Sequence, residues 1–122
     1  MRDTTEYHER FAQGDVNGEI VGDLPDGCVP SSAERDAQGR VIVSHSERGH
    51  HHVLPADAEV MEREERGMMV LYALVRDPGR ALVQDAPGQS HEAVPLKPGS
   101  WTRLWTAQEI DPWTGQARRV AD

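Results

Sequence analysis

The chain has 122 residues, 13 basic against 21 acidic side chains for a formal net charge of −8, and one cysteine. That length suits one domain able to bury a core without staples. A single cysteine excludes an intrachain disulfide. The acidic balance, with no basic patch, argues against direct contact with nucleic acid or anionic membranes and makes a basic protein surface the better electrostatic match. Hydrophobic residues make up 37% and aromatics 5%, so the core must be modest, and 11 glycines and 8 prolines recur at short intervals. Such punctuation suits many short strands better than a few long helices.

Residues 1–12 read as a polar N-terminal arm. Asp3 and Glu6 have capping-box spacing, and Tyr7 and Phe11 stand at i, i+4, so a single short helix or an arm docked on a partner fits. Gln13-Gly14-Asp15 is a turn, and Val16 to Val21 is a first strand that Asn17-Gly18 breaks. Residues 22–39, with Pro25, Gly27 and Pro30, form a long loop of the kind that is functional or lies along something else. Arg40 to His45 is the clearest strand, β-branched after a glycine turn, with His50 to Leu54 as its return. Glu62 to Gly67 reads as a hairpin tip, followed by the nearly continuous apolar strand Met68 to Val75. Ala81 to Val83 is a short strand. Glu92 to Leu96 is expected to pair with Ser100 to Trp105 across the type II turn Lys97-Pro98-Gly99. Residues 110–122 are a C-terminal tail.

About seven short strands with frequent turns predict an all-β fold: a small antiparallel β-sandwich or barrel over residues 13–109, with polar arms at both ends. Its expected core includes Val41, Val43, Met69, Leu71, Leu74, Leu82 and Leu104. No apolar run approaches the roughly 20 residues of a membrane span. The polar start, residues 1–6, is not a signal peptide. A soluble, cytoplasmic protein is the expectation.

Four of the six histidines fall within His45-Ser46-Glu47-Arg48-Gly49-His50-His51-His52. On a strand His50 and His52 share one face, with His45 on the neighbouring strand and Glu47 or His91 able to join them. That is how cupin-like barrels hold iron, manganese or zinc, but the glutamate those proteins place just after the His-x-His is absent: Val53, Leu54, Pro55 and Ala56 stand there. A polar hairpin end, whose imidazoles bond carbonyls or meet a partner, is the simpler account of the same spacing, and a contact that responds to pH is a third. No Gly-x-Ser-x-Gly elbow surrounds any serine, no phosphate-cradling loop is present, and Cys28 has no activating neighbours in sequence. The chain therefore reads as a non-enzyme without a cofactor.

Gln13-Gly14-Asp15-Val16, the histidine segment from His45 to His52, and Arg118-Arg119-Val120-Ala121-Asp122 together resemble a small group of uncharacterised proteins from bacterial and phage genomes. The group's central element runs approximately His-Gly-Glu-x-Thr-Gly-His-x-His; here Ser46 replaces the first glycine and Arg48 the threonine. The resemblance implies a compact β-rich unit in phage-associated settings and carries over no site. With the acidic charge, the arms and the missing catalytic set, it points to a structural protein, most concretely a capsid cement (decoration) protein of a tailed phage. Such a protein is made in the cytoplasm and sits on the virion as a multi-copy or homo-oligomeric partner of the major capsid protein. Tyr7, Phe11, Trp113, Arg118 and Arg119 are the expected partner contacts, because aromatics and arginines dominate interface energetics. The alternatives are a metal-binding cupin-like barrel using His45, His50, His52 and His91, and a small regulatory protein that binds a partner.

Overall fold

A computed structural model describes residues 4–44, 51–85, 92–106, 108–110 and 117–119. All regular structure there is β, with no helix. Strands β1 (Arg10–Gln13), β2 (Val16–Gly22), β3 (Val29–Pro30), β6 (Glu59–Glu65), β7 (Met68–Leu74) and β10 (Trp101–Thr106) form one antiparallel sheet in the order β1-β2-β10-β7-β6-β3. A second sheet, β4-β5-β8-β9, is built from β4 (Val41–Ser44), β5 (His52–Leu54), β8 (Ala81–Gln84) and β9 (Val94–Pro95). The two sheets pack as a sandwich and do not close into a barrel. In the tail, β11 (Gln108–Ile110) pairs with β12 (Ala117–Arg119).

The period of two explains the core. Val16, Leu104, Leu71 and Ala73 point inward from the larger sheet and meet Val41, Leu54 and Leu82 from the smaller one. Strand β7 is central and buried on both faces from Val70 to Ala73, as its unbroken apolar run suggests. The expected core residues Val41, Leu71, Leu82 and Leu104 are buried, while Val43 packs against the cluster and Leu74 is half-buried. Met69 corrects the expectation: it is 56% exposed. It shares the inward face with Leu71, but at the end of β7 where the smaller sheet no longer covers it.

Several other expectations are corrected. Residues 4–12 form no helix. Phe11 shares a face of β1 with Gln13, packs against the core, and lies directly on Gly18. That contact explains why β2 runs unbroken through Asn17-Gly18: the missing side chain makes room for the ring. The expected hairpin between residues 92–96 and 100–105 does not form. The Lys97-Pro98-Gly99 turn exists, with Ser100 N bonded to Lys97 O at 3.4 Å and Gly99 at φ 79°. However, Gly99 N also donates to Val75 O at 2.9 Å. This directs the chain from one sheet to the other, so β9 pairs with β8, and β10 with β2 and β7.

The loop of residues 22–39 is tied to its own chain. Val29 and Pro30 pair with Glu62 and Met61, and Ser31 N donates to Val60 O at 3.0 Å. Further on, Ile42 N donates to Glu34 O at 2.8 Å, Arg35 bridges to Val41, and Asp36 accepts from the Gln38 and Arg40 amides, each at 2.9 Å. The segment is a strap from the edge of the larger sheet to the edge of the smaller, held by backbone bonds within the chain.

Candidate functional site

One end of the sandwich collects the polar side chains. Gln13 closes β1 and Asp15 lies in the turn that follows; Ser44 ends β4 and His52 opens β5, with Ser44 and His52 opposite one another in register. All four are buried, His52 and Ser44 at 0% exposure, Gln13 at 1% and Asp15 at 8%. Ser44 Oγ donates to the Asp15 carboxylate, 3.1 Å from Oδ1 and 3.0 Å from Oδ2. The amide nitrogen of Gln13 donates to Leu82 O at 2.9 Å and to Glu92 O at 3.0 Å. Gln13 Oε1 stands 2.9 Å from His52 Nδ1, and His52 Nε2 stands 3.5 Å from Asp15 Oδ1. Serine, histidine and aspartate are all present, but the serine hydroxyl bonds the carboxylate and not the imidazole. That is not the relay by which histidine activates a serine.

A groove of about 370 Å³ opens beside this cluster. Ala33 of the strap, Ile42 and Val43 of β4, and Met69, Leu71 and Leu104 of the larger sheet line it, with Glu62 and Thr106 at its polar margin. Register places it at the same end, because Thr106 pairs with Val16, the residue after Asp15, and Val43 precedes Ser44. Glu62 Oε1 is held by Ser31 Oγ at 3.0 Å and Ser32 N at 2.9 Å.

The outer face of the larger sheet carries an ionic cluster. Arg103 pairs with Tyr72 across the strands, so alternation puts them on one face with Arg63 and Glu65. Arg63 Nε donates to Glu65 at 2.8 Å, Arg103 donates through Nε and Nη2 at 3.1 and 2.8 Å, and the Tyr72 hydroxyl donates to the same carboxylate. Arg103 also stacks on Trp105 at 4.3 Å and Arg63 lies over Tyr72 at 5.8 Å. Burial alone would raise the Glu65 pKa; the bonds from Tyr72, Arg63 and Arg103 outweigh it and hold the carboxyl at about 2. Burial pushes the Cys28 thiol up, against the partial opposition of Arg63, so it is not activated as a nucleophile. The long side chains of this cluster share a face with Val70 and Tyr72, both of which are buried.

Of the residues singled out in the sequence, His52 belongs to the buried cluster, and His51 beside it accepts at its carbonyl from Asp85 N at 2.8 Å. His45, His50, His91 and Trp113 lie outside the described residues, and Arg118 and Arg119 fall on β12. Tyr7 is half-buried, and Phe11 has an intrachain role against Gly18. Gln13, Asp15 and Ser44 were not expected at the site. The signal for two of them was on hand, since Gln13-Gly14-Asp15 is one of the three pieces of the resemblance. The fold brings Gln13 and Asp15 of that piece against His52, the last residue of the histidine segment. Among the described residues no three His, Cys, Asp or Glu side chains gather as metal ligands, no buried side-chain polar atom lacks a partner, and no helix is long and apolar enough to cross a membrane.

Fold and site together define an antiparallel β-sandwich with a buried polar cluster at one end and a groove of mixed polar and apolar lining beside it. The family model described as a domain of unknown function (DUF8820) matches residues 12–105, and the chain belongs to that family. No curated protein and no solved structure matches it.

Proposed function

We propose that this protein is a non-enzymatic binding protein of a larger assembly, in its most concrete form a cement protein set across the capsid subunits of a tailed phage in many copies. The observation that carries the reading is the aliphatic surface left open by the larger sheet: Met69 is 56% exposed in the groove wall, and Val29 is 54% exposed on β3 opposite Glu62. Apolar surface with a polar rim marks a contact for another macromolecule. The net charge of −8 favours a protein partner over nucleic acid. The buried, mutually bonded state of Ser44, Asp15 and His52 supports a role without chemistry on a substrate.

Gradient-purified virions from the source host provide the test. Mass spectrometry is expected to find this chain on the heads in numbers comparable to the major capsid protein, and a Met69→Lys variant to be depleted there. Recovery only from the soluble fraction, in complex with one cytosolic protein, removes the capsid form and favours the small regulatory protein.

A further inference from the structure

We propose that the groove beside Met69 receives an arginine side chain of the partner protein, its aliphatic stem along the groove wall and its guanidinium between Glu62 and Glu64. The inference rests on the binding role proposed above and names the chemistry of the partner at that site. It starts from strand β6. Antiparallel partners share a face of the sheet. Glu62 opposite Leu71 and Glu64 opposite Met69 therefore lie on the inward face, while Glu59 and Glu65 lie on the outer one. The outward carboxylates have cations of their own: Glu59 pairs with Arg76 at 3.4 Å, and Glu65 with Arg63 and Arg103, each at 2.8 Å. Among the described residues no cation is in ion-pair reach of Glu62 or Glu64. One strand thus pairs its carboxylates within the chain on the outer face and leaves two for a ligand at the groove.

The Glu62 carboxylate is also held in position. Ser31 Oγ and Ser32 N both donate to Oε1, at 3.0 and 2.9 Å, so Oε2 is the oxygen left to accept from a ligand. A group fixed in advance loses little further freedom on binding. Glu64 is exposed two residues further along the same face, about 6.5 Å away by the strand rise. Two like charges at that spacing repel, and a cation between them relieves the repulsion. Arginine suits the gap better than lysine, because five N–H donors on a planar fork can reach two carboxylates at once, where an ammonium is a single point charge.

The rest of the groove provides a bed for the stem. Met69 is 56% exposed, and Ile42, Leu71 and Leu104 line the same groove. Long basic side chains bury their methylene groups along apolar surface while the charged head keeps polar company. The site has that order, apolar wall first and carboxylates at the margin. The net charge of −8 draws a basic partner towards it.

The test titrates the untagged full chain, carbon-13 labelled at its methionine methyls, with the capped peptide Leu-Arg-Leu-Arg-Leu. Saturable binding that weakens with added sodium chloride is expected, and Met69 should be the methionine methyl that shifts most. A peptide with citrulline in place of both arginines keeps the shape without the charge, and should bind about tenfold more weakly or worse, as loss of a hydrogen bond between charged groups predicts. Glu62→Gln, which can still accept from Ser31 and Ser32, and Glu64→Gln should each weaken binding about tenfold on the same ground. Glu59→Gln removes an equal charge from the outer face of the same strand, and should change affinity by no more than about twofold. Each variant is checked for a native circular dichroism spectrum, and the wild-type methyl shifts do not depend on any variant. No saturable binding by the folded wild type, a Met69 methyl that stays still, equal binding of the citrulline peptide, or equal weakening by Glu59→Gln and Glu62→Gln would each overturn the proposal. A Met69 resonance that moves on dilution of the free protein assigns the groove to a second copy. One that moves in the Arg118→Ala, Arg119→Ala double variant assigns it to the chain's own tail. Either result also overturns the proposal. None of these outcomes alters the count of chains on virions, so the binding role proposed above stands or falls by its own assay.

Discussion

At Gly18 an added methyl group would stand 2.1 Å from Cζ of Phe11, so either the ring or the strand must move. Overpacking of this kind costs about 1–3 kcal/mol, and Gly18→Ala is expected to lower the urea midpoint accordingly. In a Phe11→Ala background the same change should cost much less, because the clash is then gone. A double-mutant cycle checks both values. Gln13 makes a comparable demand on its surroundings. Gln13→Leu removes the hydrogen-bond partner that Gln13 supplies to two carbonyls and to the His52 ring. Each unpaired buried group costs about 1–3 kcal/mol, so a loss of at least about 2 kcal/mol is expected in chemical denaturation. Neither role was legible beforehand. Gly18 looked like a strand breaker and Gln13 like part of a turn, because the meaning of each depends on a residue distant in sequence or on the opposite strand.

The hairpin of β6 and β7 turns at Arg66 and Gly67, with φ of 53° and 79°. Paired positive φ values in a two-residue loop favour asparagine before glycine, and arginine is strained there. Arg66→Asn is expected to raise stability by up to about 1 kcal/mol, measured by thermal unfolding. The same hairpin carries Glu65, whose folded pKa of about 2 lies below its ordinary 4.5. A depressed carboxylate contributes stability that is complete above its unfolded pKa and lost as pH falls through the folded one. Unfolding free energy should therefore decline between about pH 4.5 and 2, with a contribution from this group on the order of 2 kcal/mol. Glu65→Gln should flatten the decline over that window; an unchanged slope would assign acid sensitivity to other carboxylates. At this scale the sequence is informative: the β6–β7 hairpin, the β4–β5 return and the apolar strand β7 follow from local alternation and turn chemistry, although the tip is the two residues Arg66-Gly67 and not Glu62 to Gly67, because β6 stays paired through Glu65.

Across the molecule, the strap of residues 29–36 joins the edges of both sheets through its own backbone bonds. Amide exchange on the isolated protein is expected to protect Ser31, Asp36 and Ile42, whose N–H groups are bonded to Val60 O, Arg40 O and Glu34 O. Rapid exchange at all three in the free protein would return the loop to dependence on a partner. Likewise, deletion of residues 1–12 removes most of β1 with Phe11, and should destabilise the domain rather than merely detach an arm. Neither role follows from composition. A polar loop and a polar N-terminus look unable to order themselves until the sheet edges they satisfy are known.

The all-β class, the positions of most central strands and the excess of acidic charge are legible in the residues alone, since each depends on neighbouring residues or simple sums. The sequence could not decide which strands are neighbours. The Pro98-Gly99 turn was read correctly, and yet it hands the chain to the other sheet, because the acceptor for Gly99 N is Val75 O. It also could not show that Met69 overhangs the smaller sheet, since alternation assigns a face but not the extent of what covers it. The candidate site was half legible. The histidine run was conspicuous, but Gln13 and Asp15, two groups that meet the His52 ring, lie nearly forty residues upstream, and the packing of β1 and its turn against β5 brings them there.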